Sequence, residues 1–319
     1  MPSVEWHERI GALTVPLLEP KVFVADALAM SREYSPGEAA EYTRWLATHH
    51  YENFHVVTFL LPKALHRDFY NVYAFCRWAD DLGDEIEDKT ESLRLLEWWG
   101  GELVRMFDGR ASHPVFVALR ETVARHDIPR EPFADLIHAF VEDQHVTRYR
   151  DLDELYGYCR YSANPVGRLV LYLCGYRDAE RQRLSDATCT ALQLANFWQD
   201  VSLDWDKGRV YIPLDALARH GSSEDDIRHR RATPGFRAAL KEVVEVARGL
   251  FHEGLPLAGM VGRRLAVDLD LFSRGGLLVL DKIEDLDFDV LARRPSVSRR
   301  ERAWLLAAGL LRAVMRKAG

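Results

Sequence analysis

The stretch Gln193-Leu-Ala-Asn196-Phe-Trp-Gln-Asp200-Val-Ser-Leu-Asp204 constrains the fold of this chain more than any other. Steps of three and four residues put Gln193, Asn196, Asp200 and Asp204 on one line of an α-helix, because residues at those offsets project from the same face. The remaining directions carry Leu192, Leu194, Ala195, Phe197, Trp198, Val201 and Leu203, so the helix is apolar nearly all round and is expected to be buried. A buried helix with one polar stripe lines a polar cavity. The plainer alternative is a surface helix whose wet face carries two aspartates, but such a face usually includes Lys, Glu or Arg, and this stripe has none.

The same spacing occurs upstream. Residues 63 to about 87 are helical by pattern and carry Tyr73, Arg77, Asp80 and Asp84 at steps of four, three and four, among Val72, Ala74, Phe75, Cys76, Trp78, Ala79 and Leu82. Unpaired buried carboxylates are strongly unfavourable, and Arg77 answers only part of this charge, so a cation is missing from the residues themselves.

Elsewhere the pattern stays helical. Ser35-Pro36-Gly37-Glu38 supplies an N-cap, a first-turn proline and a capping-box glutamate, opening a helix that runs to about residue 50. Apolar positions at helical offsets predict further helices over 92–107, 113–126, 131–145, 151–175, 224–231, 234–253, 255–286 and 298–317. There is no strand-like alternation, no internal repeat and no low-complexity linker. The expected architecture is all-α, one helical domain over residues 35–319 with a central cavity. Residues 1–34, interrupted by Pro2, Pro16 and Pro20, form an N-terminal extension of unknown role.

Charge narrows the function classes. A net charge of −7 argues against a nucleic-acid partner, whose binding face would be basic. The distribution is uneven: residues 292–319 hold eight Arg or Lys against Glu301 alone, +7, which leaves −14 on the rest. That basic segment suits peripheral contact with an anionic membrane face, or simply forms a basic outer helix. The four cysteines, Cys76, Cys159, Cys174 and Cys189, form no CxxC pair and suggest neither a zinc site nor a disulfide framework. With no signal-peptide pattern and no run of 18 apolar residues, the expected location is cytoplasmic, at most peripheral at the inner face of the membrane.

Two Asp-x-x-x-Asp stripes give four carboxylates able to converge on hard cations. Mg²⁺ commonly binds through one or two carboxylates plus substrate phosphate. A di-iron or di-zinc bundle would recruit His, which neither stripe contains. Mg²⁺ held this way suits a diphosphate leaving group, with Arg77, Lys207 and Arg209 as donors to its oxygens. Lys207 and Arg209 also follow a helix end, where positive charge is favourable in any case. Loss of diphosphate leaves a carbocation that needs a dry, aromatic cavity, for which Phe54, Tyr73, Tyr158, Phe197 and Trp198 are candidates, although taken singly each such residue is more often core filling.

The chain resembles the squalene and phytoene synthase family through His50-x-x-x-Phe54, Tyr73-Ala-Phe-Cys-Arg77-x-x-Asp80-Asp81-x-x-Asp84, Tyr158-Cys159, Val166-Gly167, Gln193-x-x-Asn196-x-x-x-Asp200-x-x-x-Asp204 and Gly208-Arg209-x-Tyr211-x-Pro213, over about residues 36–295. The resemblance implies catalytic roles for Asp80, Asp84, Asp200, Asp204 and Tyr158, with the four aspartates as Mg²⁺ ligands. It implies substrate binding by His50, Phe54, Tyr73, Arg77, Gln193, Asn196, Lys207, Arg209 and Tyr211.

Three positions depart from the family pattern: Gln199 where Arg is common, Leu203 where Glu is common, and Phe288 where Tyr is common. Together with Asn53-Phe54, the 162–168 segment and Asn196-Phe-Trp-Gln-Asp200-Val, they make the chain similar to the hydroxysqualene synthase branch of bacterial hopanoid pathways. Such an enzyme ionises presqualene diphosphate and lets water capture the rearranged cation without nicotinamide. It stands between a presqualene diphosphate synthase and a hydroxysqualene reductase. The alternatives are a transferase that condenses two farnesyl or geranylgeranyl diphosphates, and a non-catalytic scaffold of the same fold. Pro165, inside an otherwise helical segment, is expected to kink it. Asn164 then either places the attacking water or satisfies the backbone freed by the kink.

Overall fold

A computed structural model describes residues 17–49, 62–298, 300–301 and 304–309. His50 and Phe54, both expected to contact substrate, lie outside the described residues. Contacts divide the chain into two compact units, Met1–Gln144 and His145–Gly319. Among the described residues there is no strand, only an isolated bridge between Arg148 and Val210, so the all-α expectation holds. No described helix is long and apolar enough to cross a membrane.

The first unit contains α1 (Pro20–Ala25), α2 (Ala27–Ser31), α3 (Pro36–His49), α4 (His66–Asp84), α5 (Lys89–Phe107), α6 (Pro114–His126) and α7 (Glu131–Asp143), with a 3₁₀ turn at Lys63–Leu65 before α4. The capping box at the start of α3 is formed in both directions: Ser35 N donates to Glu38 Oε2 at 2.9 Å, and Glu38 N donates to Ser35 Oγ at 3.3 Å. Helix α4 is the centre of this unit. Its Trp78 stacks on Trp99 of α5 at 4.9 Å and 8°, and both rings meet the edge of His113. Burial pushes the His113 imidazole down to about 3, so it is neutral and accepts a hydrogen bond from Val115 N as the N-cap of α6. The N-terminal stretch has a packing role here: Phe23 of α1 is fully buried with its ring edge-on to Trp78 at 5.3 Å. Tyr42 donates to the Leu18 carbonyl and accepts from Trp78 Nε1. At the other end of α4 the buried Asp68 accepts hydrogen bonds from Thr122 and Arg125 and pairs with His126, which answers its charge inside the fold.

The second unit contains α8 (Leu152–Ser162), α9 (Asn164–Leu173), α10 (Ala179–Asp206), α11 (Leu214–Arg219), α12 (Glu224–Arg228), α13 (Pro234–Gly254), a 3₁₀ turn (Leu255–Gly259) and α14 (Arg263–Asp285), followed by helical residues 304–309. Helix α10, 28 residues long, packs against α9, α13 and α14. Three glycines allow the helices of this unit to approach. A Cβ on Gly167 of α9 would stand 2.3 Å from Ser185 Oγ, one on Gly254 of α13 would stand 2.0 Å from Thr188 Oγ1, and one on Gly276 of α14 would stand 2.1 Å from the Phe251 ring.

Two expectations are corrected in this unit. The helix predicted over 151–175 is two helices that break at Ala163, and Pro165 lies in the first turn of α9 rather than at a kink. A proline there removes an N–H that has no intrahelical acceptor in any case, so it starts a helix at little cost. The helix predicted over 255–286 begins only at Arg263, because Pro256 is accommodated in the 3₁₀ turn.

The glycine contacts generate a paired test. Gly276→Ala is expected to force Phe251 out of its position and cost about 1–3 kcal/mol. Gly275→Ala, with open space at its Cβ, is expected to stabilise α14 by about 0.5–1 kcal/mol. Thermal melts of the two variants should therefore move in opposite directions from wild type.

Candidate active-site residues

In the first unit, α4 presents Tyr73, Arg77 and Asp80 as half-buried side chains and Asp84 as an exposed one. The buried acid of this motif is Asp81, which the spacing argument did not single out. Arg77 Nη2 lies 2.5 Å from Asp81 Oδ1, whereas Arg77 Nη1 lies 3.4 Å from Asp80 Oδ2. Arg77 is thus committed mainly to the acid one residue beyond the stripe. The physical reason is helical geometry: positions 80 and 81 are both within reach of 77, and the deeper carboxylate has more to gain from a cation.

In the second unit, α10 buries Leu194, Ala195, Phe197, Trp198 and Val201 as its sequence requires. Gln193, Asp200 and Asp204 are half-buried, and Asn196 is exposed. Leu203 departs from the expected burial at 47% exposure. Burial and, next, the neighbouring Asp200 carboxylate push the Asp204 carboxyl up to about 7, against the opposing pull of Lys207, Arg209 and Arg294. These three cations therefore surround the Asp200–Asp204 pair. Lys207 is the C-cap of α10, and the chain then turns through Gly208 with φ +78, a left-handed conformation that favours glycine. Arg209 N returns to the Asp204 carbonyl at 2.8 Å, Arg148 Nη1 donates to the Gly208 carbonyl at 2.6 Å, and Val210 N donates to Thr147 O at 2.9 Å.

Arg294 is the residue that sequence reasoning missed, having counted it only as part of a basic tail. Its Nε donates to Asp200 Oδ1, and its Nη2 donates to Asp200 Oδ2 at 3.0 Å, a bidentate pair. Helix α10 itself holds the arginine there. Gln199 Nε2 donates to the Pro295 carbonyl at 2.7 Å, and Ser202 Oγ donates to the Leu291 carbonyl at 3.2 Å. A signal existed at Gln199, already marked as atypical, but its partner is 96 residues away in sequence.

Tyr158 and Tyr211 are buried with Phe197 and Tyr149 in one aromatic cluster. The Phe197 and Tyr211 rings stack at 3.6 Å and 7°, and Tyr158 stands 6.2 Å from Phe197 and 6.1 Å from Tyr211. Trp198, by contrast, is fully buried in the core. Asn164 Oδ1 accepts from Thr190 Oγ1 of α10 at 2.9 Å, so this side chain ties α9 to α10.

Among the described residues no group of three or more His, Cys, Asp or Glu is arranged to hold a metal ion. The donor chemistry nevertheless fits Mg²⁺. Asp200 and Asp204 are hard oxygen donors on successive turns, and one of them is kept near neutrality by burial and by the charge of the other. Such a pair gains from a divalent cation, and Mg²⁺ needs only one or two carboxylates when substrate oxygens and water complete its shell.

In the metal-free protein the raised Asp204 pKa contributes stability that is complete below about pH 4 and is lost as pH rises through about 7. Relative to Asp204→Asn, the wild type is therefore expected to lose thermal stability across that interval and to recover it when Mg²⁺ is added above pH 7. Melting curves of the two proteins across pH, with and without Mg²⁺, check this.

The squalene/phytoene synthase family model matches residues 47–301. The phytoene synthase of Thermus thermophilus is 34% identical over 83% of this chain and 90% of its own length. Among solved structures, squalene synthase HpnC from Alicyclobacillus acidocaldarius aligns with a TM-score of 0.77 and 46% identity, covering 79% of this chain and 95% of its own. A dehydrosqualene synthase in complex with a ligand shares the fold at a TM-score of 0.78 and 22% identity, covering 88% and 98%. The all-α architecture is that of these synthases, and the chain belongs to the squalene/phytoene synthase family.

Proposed function

We propose that this enzyme is a hydroxysqualene synthase, which converts presqualene diphosphate and water to hydroxysqualene, diphosphate and a proton. The observation that carries the reading is the 46% identity with a solved squalene synthase, against 34% with a phytoene synthase. The Gln199 contact supports it. Where the family commonly has Arg, this chain has an amide whose N–H is spent on the Pro295 carbonyl, and Leu203 replaces a carboxylate. Fewer charged groups are then left for the second diphosphate that a condensing transferase must bind.

In this reading Asp80 and Asp84 on α4, and Asp200 and Asp204 on α10, are the residues that would hold Mg²⁺, which when bound would supply positive charge to the leaving diphosphate. Arg77, Lys207 and Arg209 donate to the diphosphate oxygens, Gln193 and Asn196 orient it, and Tyr73 assists. Tyr211, packed face to face on Phe197, joins Tyr158 in presenting ring faces to the cation and excluding bulk water. No nicotinamide is consumed, so a separate presqualene diphosphate synthase supplies the substrate and a separate reductase acts on the alcohol.

Purified protein with Mg²⁺ is to be incubated separately with farnesyl diphosphate and with presqualene diphosphate, and the lipid products identified by mass spectrometry. Hydroxysqualene from presqualene diphosphate alone is the expected result. Product from farnesyl diphosphate alone would establish the condensing transferase instead. Asp80→Asn and Asp200→Asn are each expected to lower turnover by roughly 10²-fold or more, the scale of removing one electrostatic group from a preorganised site. A scaffold protein would show no turnover for either variant to lose.

A further inference from the structure

Helix α8 ends at Ser162, and the side chain there breaks a general rule: its hydroxyl oxygen is buried and has no hydrogen-bond partner among the described residues. A serine inside a helix either turns its hydroxyl onto the carbonyl four residues back or points it to solvent. Ser162 does neither. A buried hydroxyl without a partner is unfavourable, so the position selects for a ligand that can answer it. The Ser162 carbonyl is also left without a backbone donor among the described residues. In a continuous helix it would accept from Val166 N, but α9 starts at Asn164 and Val166 N donates to Ala163 O at 3.2 Å.

The neighbours define what that ligand is. Ser162 lies four residues after Tyr158, so its hydroxyl stands one helical turn along from that ring. Tyr158 is buried with Tyr149, Phe197 and Tyr211 in the aromatic cluster. Ala163, between the two helices, keeps a right-handed helical conformation with φ −112 and ψ −48, so Val166 follows Ser162 in the same direction. Val166 is apolar and yet 45% exposed. The hydroxyl thus stands between aromatic rings and an uncovered aliphatic side chain, surroundings that suit a small neutral hydrogen-bonding group and not an ion.

We infer that Ser162 holds the water that captures the carbocation, through its hydroxyl and its carbonyl. The inference rests on the hydroxysqualene synthase reading and adds to it the residue that decides the fate of the cation. A water that donates its O–H groups to these two acceptors keeps its oxygen lone pairs free. One pair forms the C–O bond to the cationic carbon beside Tyr158. The oxonium then loses a proton to the released diphosphate, the electrons of the broken O–H bond stay on oxygen, and the alcohol results. Without a held water the cation sheds a proton from a neighbouring carbon, again to diphosphate, and becomes a hydrocarbon.

Product analysis with presqualene diphosphate and Mg²⁺ tests this, with diphosphate release and the ratio of hydroxysqualene to hydrocarbon measured together. Ser162→Ala should release diphosphate near the wild-type rate while the ratio falls about tenfold, the scale of one lost hydrogen bond to a buried group. Ser162→Thr, which keeps a hydroxyl, should restore the ratio. Asn164→Ala should leave the ratio as in wild type, because the Asn164 amide oxygen is already held by Thr190. Since Ser162 Oγ has no partner inside the fold, Ser162→Ala should also melt no lower than wild type. An unchanged ratio in Ser162→Ala, a Ser162→Thr mixture matching that of Ser162→Ala, or a ratio that collapses in Asn164→Ala alone would overturn the inference. So would a lowered melting midpoint in Ser162→Ala, which would give the hydroxyl to the fold. A wild-type protein that makes no hydroxysqualene from presqualene diphosphate would instead overturn the functional reading itself.

Discussion

The second unit depends on the close approach of α9 and α13 to α10. Gly167 and Gly254 bring two helix backbones against the polar small side chains Ser185, Thr188 and Cys189, at distances that no Cβ could share. That contact buries one side of α10 in its first half. Because packed interiors have little free volume, a methyl group at Gly167 would displace the Ser185 and Cys189 side chains, and one at Gly254 would press on Thr188 and the Leu184 carbonyl.

The same helix carries an electrostatic cost. Two carboxylates one turn apart in a half-buried setting raise the pKa of Asp204, and the fold answers with Arg294, Lys207 and Arg209. Arg294 reaches Asp200 because Gln199 and Ser202 bind the carbonyls of the chain that delivers it. The first unit solves an analogous problem differently: Arg77 sits on the same helix as its acids and is spent mostly on Asp81. In both places an arginine pairs with a carboxylate of the motif. The aspartates of both motifs are thus set beside basic groups.

Much of the architecture was legible in the order of residues. The capping box at Ser35–Glu38, the helical pattern around Asp80 and the helix carrying Gln193 to Asp204 were readable, because capping and amphipathic spacing are local, whereas the fourteen residues of α10 before Gln193 were not singled out. Helix breaks were less so. A proline that starts a helix and one that kinks it look alike until the neighbouring backbone is seen, and Pro165 was misplaced for that reason. The short α11 over Leu214–Arg219 gave no usable pattern, since six residues make too few turns for periodicity. Asp81 was overlooked because a fixed three-four stripe assigns one line of the helix, whereas Arg77 reaches two.

The all-α class, the two carboxylate motifs and the family are all readable from the order of residues. Each of these follows from spacing within one helix or from a run of neighbouring residues. Only the tertiary structure decided which acid Arg77 answers, that Tyr211 stacks on Phe197, that Asn164 is held by Thr190, and that Arg294 meets Asp200. Partners such as Asp200 and Arg294 are 94 residues apart, and nothing in local propensity specifies where a chain of that length returns. Side-chain packing and the need to compensate buried charge select those pairs, and both act only once the helices are assembled.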